Sequence, residues 1–376
     1  MIIVVTALPF WRANRGALQR VLAQIQTLKE KVEVKVCYVG QINYFDSRAL
    51  GRLKLSNIVE SIYNFKPSST NIKIGDLPKS LRSTVSIDFA SRFQSYANYN
   101  KSATFVFHNI DLHYLKSGLR HGQNSILDMH DIRSNRGVGF KNAGREPETN
   151  ISRDEELAIF KTYDSLIAIQ NTDKSDLVNW GLKSSKIITC GHMVECNNHY
   201  DNNDVVNIGY MGSHNISNID AIKWFVNDVW PAYSASGIKL NIYGDVCKHI
   251  SGLNSEGVVK HGLIPNIETV YVDNQIIINP VLYGSGLKIK NVEAMSMGRP
   301  LITTDEGARG LEKYANESFL LVNSAYEFIE AIECLVQSLE LRSAISGNGL
   351  DVVDKYYSKD ESYRELLELV EADSYA

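Results

Sequence analysis

The chain has 376 residues, 44% of them hydrophobic and 22% charged, with 39 basic against 43 acidic side chains and a formal net charge of -4. This is a globular composition, and at about 150 residues per domain it implies two domains, each long enough to bury a core. The slight acidity excludes a chain-wide basic surface, so no nucleic-acid partner is expected; five scattered cysteines without a CxxC pair suggest no zinc ribbon and no disulfide framework, which fits a reducing compartment.

Residues 1–6 (MIIVVT) form an apolar run with no basic leader and no small-residue cleavage site. They read as a buried first strand rather than a signal peptide. Leu18, Val21, Leu22, Ile25 and Leu28 then fall at helical spacing, and residues 32–39 are apolar and β-branched again. This strand–helix–strand order opens a βαβ unit with a parallel sheet. Gly16 stands near the start of the helix, where backbone N–H groups can face an anion. Residues 41–100 are polar and rich in Tyr, Asn and Ser, and read as helices and loops shaping an acceptor surface.

Two short strands are expected at residues 103–108 (ATFVFH) and 125–129 (SILDM). Each ends in a polar cluster, HNIDLH and HDIRSNR, at the carboxyl end of a strand where open α/β sheets bind ligands. Residues 134–152 read as a loop. A helix is expected over 151–163, a strand over 165–169, a helix over 173–180 and a strand over 186–189. The Asn-rich stretch 195–205 reads as a linker. A second strand–helix series follows, with strands at 207–211, 239–243, 258–261, 275–279 and 301–304 and a helix over 220–233. The last segment, 359–372, is an amphipathic helix placed to cross back onto the first domain. No window approaches about 18 uninterrupted apolar residues, so no membrane-spanning helix is expected.

Chemistry concentrates in residues 284–304 (GSGLKIKNVEAMSMGRPLITT). Gly284 and Gly286 allow close backbone approach to a ligand. The helix start that follows offers N–H groups and a positive dipole end, and Lys288 and Lys290 add full charges, which makes a diphosphate site. Glu293, one turn inside the helix, can accept two hydrogen bonds from a ribose diol. Elsewhere, His108, His113 and His121 lack the spacing of a metal-binding helix, and Asp128-Met129-His130 reads as strand-end polarity. Arg133 and Arg136 are candidates for holding an anionic group or for plain solvation. Trp11, Arg12 and Arg15 are candidates for an acceptor wall or, for Trp11, for packing.

The segment GSGLKIKNVEAMSMGRPLITTDEGARGL resembles the donor-binding signature of family 4 glycosyltransferases, which have the GT-B fold. NIGYMGSHNISNIDAIKWFVNDVWP resembles the strand, glycine loop and helix that open their C-terminal domain. YDSLIAIQ resembles a strand of their N-terminal domain, and HGLIPNIETVYVDNQIIINP their base-facing loop and the strand before the donor motif. The resemblance is clear over residues 125–311. It implies an α/β fold of two facing Rossmann-like domains: residues 1–198 for the acceptor, 199–355 for the nucleotide sugar, and 356–376 as a helix returning to the first.

The resemblance also implies roles. Gly284, Ser285, Gly286, Leu287, Lys288 and Lys290 would hold the donor diphosphate and Glu293 its ribose. Gly212 and Ser213 would approach the phosphates from the other side, and Gly16 from the N-terminal domain. His130 would lie beside the reacting sugar, Asp131 would orient it or bind the acceptor, and Lys290 would stabilise the leaving group. Many members carry a first glutamate where this chain has Ser285, and an Arg and a Lys after the glycine loop where GSHNISN has neither. A sub-branch with G[ST]G-hydrophobic-[KR]-x-K shares this pattern. The implied activity is transfer of a sugar, with retention, from a nucleotide diphosphate sugar, UDP favoured, to a glycan or lipid-linked glycan hydroxyl. No metal or other cofactor is implied. The setting is surface polysaccharide synthesis, in the cytoplasm with room for peripheral association with the inner membrane. The rival readings are a GT-B nucleotide-sugar epimerase and a non-catalytic nucleotide-sugar-binding protein.

Overall fold

The computed structural model describes residues 1–12, 16–68, 74, 77–147, 149–198 and 206–374. The chain forms two compact units: Met1–Gly191 together with Tyr363–Ala376, and His192–Ser362. Arg15 and most of the Asn-rich stretch 195–205 lie outside the described residues.

The first unit runs β1 (Ile2–Thr6), α1 (Gly16–Lys29), β2 (Val34–Tyr38), α2 (Tyr44–Arg52), β3 (Val59–Ser61), α3 (Ile87–Tyr99), β4 (Thr104–His108), β5 (Ser125–Asp128), α4 (Arg133–Asn142), α5 (Arg153–Thr162), β6 (Ser165–Ala168), α6 (Asn171–Asn179) and β7 (Ile187–Thr189). Among the described residues these strands form one seven-stranded sheet in the order β3-β2-β1-β4-β5-β6-β7. Every pairing is parallel, with Ile2 opposite both Val34 and Thr104 and His108 opposite Asp128. Strands covered on both faces read as continuous apolar runs, and β1, with all five residues buried, is such a run.

The second unit runs β8 (Ile208–Met211), α7 (Ile216–Trp224), β9 (Leu240–Tyr243), β10 (Val258–Gly262), α8 (Glu268–Val272), β11 (Ile276–Asn279), α9 (Ile289–Ser296), β12 (Leu301–Thr303), β13 (Leu320–Leu321), α10 (Ala325–Gln337) and α11 (Leu339–Tyr357); α12 (Lys359–Ser374) closes the chain. The described strands form a six-stranded parallel sheet, β10-β9-β8-β11-β12-β13. Each unit has its own buried apolar cluster, one around Phe93, Phe105 and Phe107, the other around Phe225, Trp230 and Phe328. Burying a side chain of this size contributes about 1.5–3 kcal/mol, so each sheet is anchored from within its own unit.

The architecture is the α/β class read from the sequence, with differences at particular places. The first unit ends at Gly191, ahead of the expected boundary at 198. The reason is backbone pairing: the Val194 N–H donates to the Tyr357 carbonyl and the Asn197 N–H to that of Ser296, which ties residues 192–198 to the second unit. The returning segment joins the first unit from Tyr363 rather than from 356. Tyr363, Leu366 and Val370 of α12 are buried, and the Glu365 carboxylate accepts from the Lys174 ammonium and the Thr189 N–H, both at 2.9 Å.

The stretch 134–152, expected as a loop, contains α4 instead. Its cap is tertiary: the Glu156 carboxylate of α5 accepts from the N–H groups of Arg133 and Ser134, both at 2.9 Å. Such a carboxylate satisfies donors that a helix start leaves bare. The helix expected over 220–233 stops as an α-helix at Trp224 and continues as a wider turn over Phe225–Val229 and a tight one over Trp230–Ala232. Pro231 has no N–H to continue the ladder. The short edge strands β3 and β13 carry no pattern long enough to read. Among the described residues no helix is long and apolar enough to cross a membrane.

Candidate functional site

In both sheets the strand order reverses in the middle, between β1 and β4 and between β8 and β11. Loops leaving the carboxyl ends of such neighbouring strands diverge and open a crevice. In the second unit these loops are Gly212-Ser213, after β8, and the residues 280–288 that lead from β11 into α9.

The two loops are tied together by one lysine and one asparagine. The Lys290 ammonium, on the first turn of α9, donates to the Met211 carbonyl (3.1 Å) and to Asn218 Oδ1 (3.0 Å). Asn218 Nδ2 in turn donates to Ser213 Oγ (3.1 Å), and the ammonium lies 4.7 Å from the centre of the Tyr210 ring. Burial, and then the like charge of Lys288, push the Lys290 pKa down to about 7 against the pull of Glu293. A bound anion would reverse that shift. Close approach also explains Gly212: a Cβ there would sit 2.9 Å from the Tyr210 hydroxyl oxygen.

Lys288 is placed differently. Its ammonium donates to the carbonyls of Ser285 (3.1 Å) and Gly286 (2.9 Å) and to Glu306 Oε1 (2.7 Å). An ammonium has three protons, so a phosphate reaching Lys288 competes with Glu306. Gly284 sits beside this pair, and a Cβ there would be 3.3 Å from Glu306 Oε1. Gly286 has φ 66°, a conformation glycine adopts without strain. Leu287 is buried, and Lys288 is the N-cap of α9 with no side chain capping the helix start.

Glu293 is buried and accepts from the Tyr271 hydroxyl of α8 at 3.0 Å; burial, and then the Glu293 charge and this bond, raise the tyrosine pKa well above its ordinary value. Beneath the loop, Asn279 Nδ2 donates to Asn291 Oδ1 (2.8 Å), Asn291 Nδ2 to the Gly307 carbonyl (2.8 Å), and Thr303 Oγ1 to the Asn279 carbonyl (2.9 Å). Tyr283 donates to Asp220 of α7. These buried bonds fix the loops after β11 and β12 as one body. Gly212, Ser213, Gly284, Ser285, Gly286, Leu287, Lys288, Lys290 and Glu293 therefore all belong to the second unit.

Gly16, His130 and Asp131 belong to the first. Gly16 begins α1. His130 follows β5 in a left-handed conformation, φ 64°, with its N–H donating to Asp128 Oδ1 at 3.3 Å. Its ring nitrogen Nε2 lies 3.0 Å from Nδ1 of His108, at the end of β4. Asp128 is fully buried and accepts from Arg20 Nη2 on both oxygens (3.1 and 3.0 Å) and from Gln24 Nε2 (3.0 Å). Burial alone would raise its pKa, but Arg20 and the two histidines hold it well below the carboxylate range. Arg20 also donates to the Gly191 carbonyl at 2.6 Å.

His108, Asp128 and His130 bring three ligand-type atoms within 4.8 Å. The set does not suit a cation, because Arg20 and Gln24 already fill the Asp128 carboxylate and the guanidinium would repel one. Of the histidines considered together in the sequence, His108 joins this cluster, His113 pairs with the Tyr163 hydroxyl at 3.2 Å, and His121 is exposed. Asp131 lies 3.8 Å from Arg136, and the group bonded to the His130 ring is His108. Arg133 pairs with Asp111 through both nitrogens (2.8 and 2.6 Å) and with Asn109 (2.6 Å). Trp11 is packed: its Nε1 donates to Asp46 (2.7 Å) and its ring meets Tyr38.

The sequence reading missed Asn218, Tyr271, Glu306 and Arg20 as site residues, and it set His108 and Asp128 aside as a histidine without metal spacing and as strand-end polarity. Glu306 and Asn218 lie inside segments that were read for their glycines. Arg20 carried no signal, since a charged residue on an amphipathic helix is ordinarily solvated.

Residues 205–338 match the family model described as glycosyl transferases group 1. The chain is 22% identical to an "Uncharacterized 44.6 kDa protein in cps region" of Klebsiella pneumoniae, with 97% of this chain and 98% of that protein covered. A variant of S. aureus TarM, solved in complex with fondaparinux, alpha-GlcNAc-glycerol and UDP, superposes with a TM-score of 0.74 at 11% identity, covering 98% of this chain and 99% of the other. The pneumococcal O-GlcNAc transferase GtfA, in complex with UDP and GlcNAc, gives a TM-score of 0.73 at 10% identity over 100% and 99% of the two chains. The fold is thus that of GT-B glycosyltransferases.

Proposed function

We propose that this chain is a retaining glycosyltransferase of family 4 type that moves a hexosyl group from a UDP-sugar to a hydroxyl of a glycan or lipid-linked glycan during surface polysaccharide synthesis. The observation that carries the reading is the Lys290–Asn218–Ser213 tie, which holds a partly buried lysine between two glycine loops at the switch point of the second sheet. The matched glycosyl transferases group 1 segment spans those loops, and both solved neighbours hold UDP. The cps-region relative supports the polysaccharide setting.

In this reading the second unit holds the donor, with Glu293 on the ribose and Lys290 and Lys288 on the diphosphate. The first unit holds the acceptor, with Gly16 near the phosphates, His130 beside the sugar and Asp131 on the acceptor. The bond from the anomeric carbon to the diphosphate oxygen breaks, and a bond from that carbon to the acceptor oxygen forms. The acceptor proton passes to the departing phosphate oxygen, so the protein needs no separate base. Its contribution is charge stabilisation of the nucleoside diphosphate, and no metal is required for it. The place of work is the cytoplasm, with peripheral contact to the inner membrane where the acceptor is lipid-linked.

The test is a binding and transfer screen of the purified chain against UDP-, GDP-, dTDP- and ADP-sugars. Stabilisation by one nucleotide class, with sugar release or transfer that Lys290→Met abolishes, supports the proposal. Absence of binding to every nucleotide sugar contradicts it.

A further inference from the structure

The pair His108–His130 in the first unit holds a proton whose position follows from its surroundings. The two ring nitrogens, His108 Nδ1 and His130 Nε2, are 3.0 Å apart. A hydrogen bond of that length requires one proton between them. Both rings are neutral near pH 7: burial pushes His108 down to about 3, and burial also lowers His130, against the attraction of Asp128 in each case. One ring therefore donates and the other accepts, and the choice fixes the tautomer of both.

Two observations decide the direction. The Asp128 carboxylate lies 3.8 Å from His108 Nδ1, and it is held ionised by Arg20. A negative charge there favours the proton on Nδ1. The far nitrogen of the same ring, His108 Nε2, is buried and has no hydrogen-bond partner among the described residues. If the proton sat on Nε2, a buried N–H would be orphaned, the rarer and costlier arrangement; a bare lone pair is tolerated better. Both considerations put the His108 proton on Nδ1, pointing at His130 Nε2.

We propose that His108 is a positioning residue that fixes His130 as the Nδ1–H tautomer. The Nε2 lone pair of His130 is then spent on His108. What remains on the ring is an N–H, so His130 acts toward a substrate as a hydrogen-bond donor to a hydroxyl or phosphate oxygen, and it takes up no proton. Its backbone supports this: the left-handed turn at φ 64° is held by the N–H donating to Asp128 Oδ1. Asp128 thus sets both the orientation of His130 and, through His108, its tautomer. Arg20, Asp131 and Arg133 are the other charged groups acting on the ring: the two arginines disfavour its protonation and Asp131 favours it. The inference about substrate rests on the glycosyltransferase reading; the tautomer itself does not.

The experiment is two-bond proton–nitrogen NMR of the histidine rings in the full chain labelled with ¹⁵N-histidine, at pH 7 to 8, with His130→Gln and His108→Leu serving for assignment. The expected result is the Nδ1–H form for both rings, where free imidazole prefers the proton on Nε2. In folded His108→Leu, His130 should change tautomer and kcat should fall about tenfold, the loss of one aligned hydrogen bond, with KM for the donor little changed. His108→Asn, whose amide nitrogen can take the place of Nδ1, should keep the tautomer and most of the activity. A wild-type His130 with its proton on Nε2, or a tautomer unaffected by His108→Leu, overturns the proposal. So does a shifted tautomer in His108→Leu with kcat unchanged. A chain that binds no nucleotide sugar at all would count against the glycosyltransferase reading instead, and the NMR result would still decide the tautomer.

Discussion

The switch points of the two sheets hold charge in opposite ways. In the first unit, Arg20 and Asp128 are both buried and bonded to each other, so the charges cancel and what they leave behind is geometry. In the second, Lys290 is held by a carbonyl and a neutral amide, with Lys288 adding a like charge that Glu306 only partly offsets. One site is finished without a ligand. The other carries positive potential that an anion would relieve. On the proposed reading, the first unit would supply orientation and the second electrostatic stabilisation of a leaving group.

The largest effect should come from breaking the finished site. Arg20→Ala leaves Asp128 buried without its counter-charge, and should cost about 3–5 kcal/mol of stability, read by chemical denaturation. The depressed Asp128 pKa gives this loss a pH signature. The pair stabilises the fold fully above the unfolded carboxylate pKa of about 4, and its contribution disappears as pH falls below that. Arg20→Ala should therefore match the wild type more closely in acid.

Lys290→Met should behave in the opposite manner. Turnover of a UDP-sugar should fall by about 10²–10³-fold, as when one donor to a developing anion is removed. Stability should hold or rise, because a lysine whose pKa is pushed down to about 7 is a charge the fold resists. A stability loss like that of Arg20→Ala would erase the contrast between the two units.

The third test titrates Lys290. A nucleotide-sugar diphosphate binds the ammonium form, so affinity should be flat below pH 7 and fall above it, by at most about tenfold per pH unit. Lys288 and Glu293 are the other charged groups that set this pKa. Calorimetry in buffers of different ionisation enthalpy should show proton uptake on binding above pH 7. The smallest effect is expected from Glu306→Gln, which removes the carboxylate competing for Lys288. Donor affinity should tighten about two- to fivefold, whereas weakening would mean that Glu306 shapes the loop more than it competes.

The second site was far more legible than the first. Gly284, Gly286, Lys288, Lys290 and Glu293 lie within ten residues, because a loop and the helix it opens can build a phosphate site from consecutive chain. The site around His130 is assembled from α1, β4 and β5. Arg20 is 108 residues from Asp128 in sequence, and no local pattern joins them. The same distinction explains the fold. The buried strands β1, β4, β8 and β11 announced themselves as apolar runs, whereas α4 depends on a cap from Glu156 on another helix and was read as a loop. Residues 195–198 open the stretch read as a linker, yet the Asn197 N–H pairs with the Ser296 carbonyl of the second unit.

The central claim is that the second unit binds a nucleotide sugar through Lys290. Isothermal titration of the intact chain and of Lys290→Met with a UDP-sugar, at pH 6.5 and 8.5, tests it most directly. The account predicts binding by the wild type that weakens at the higher pH with proton uptake, and a variant that binds more weakly and without pH dependence over this range. Equal, pH-independent binding by both proteins would contradict it.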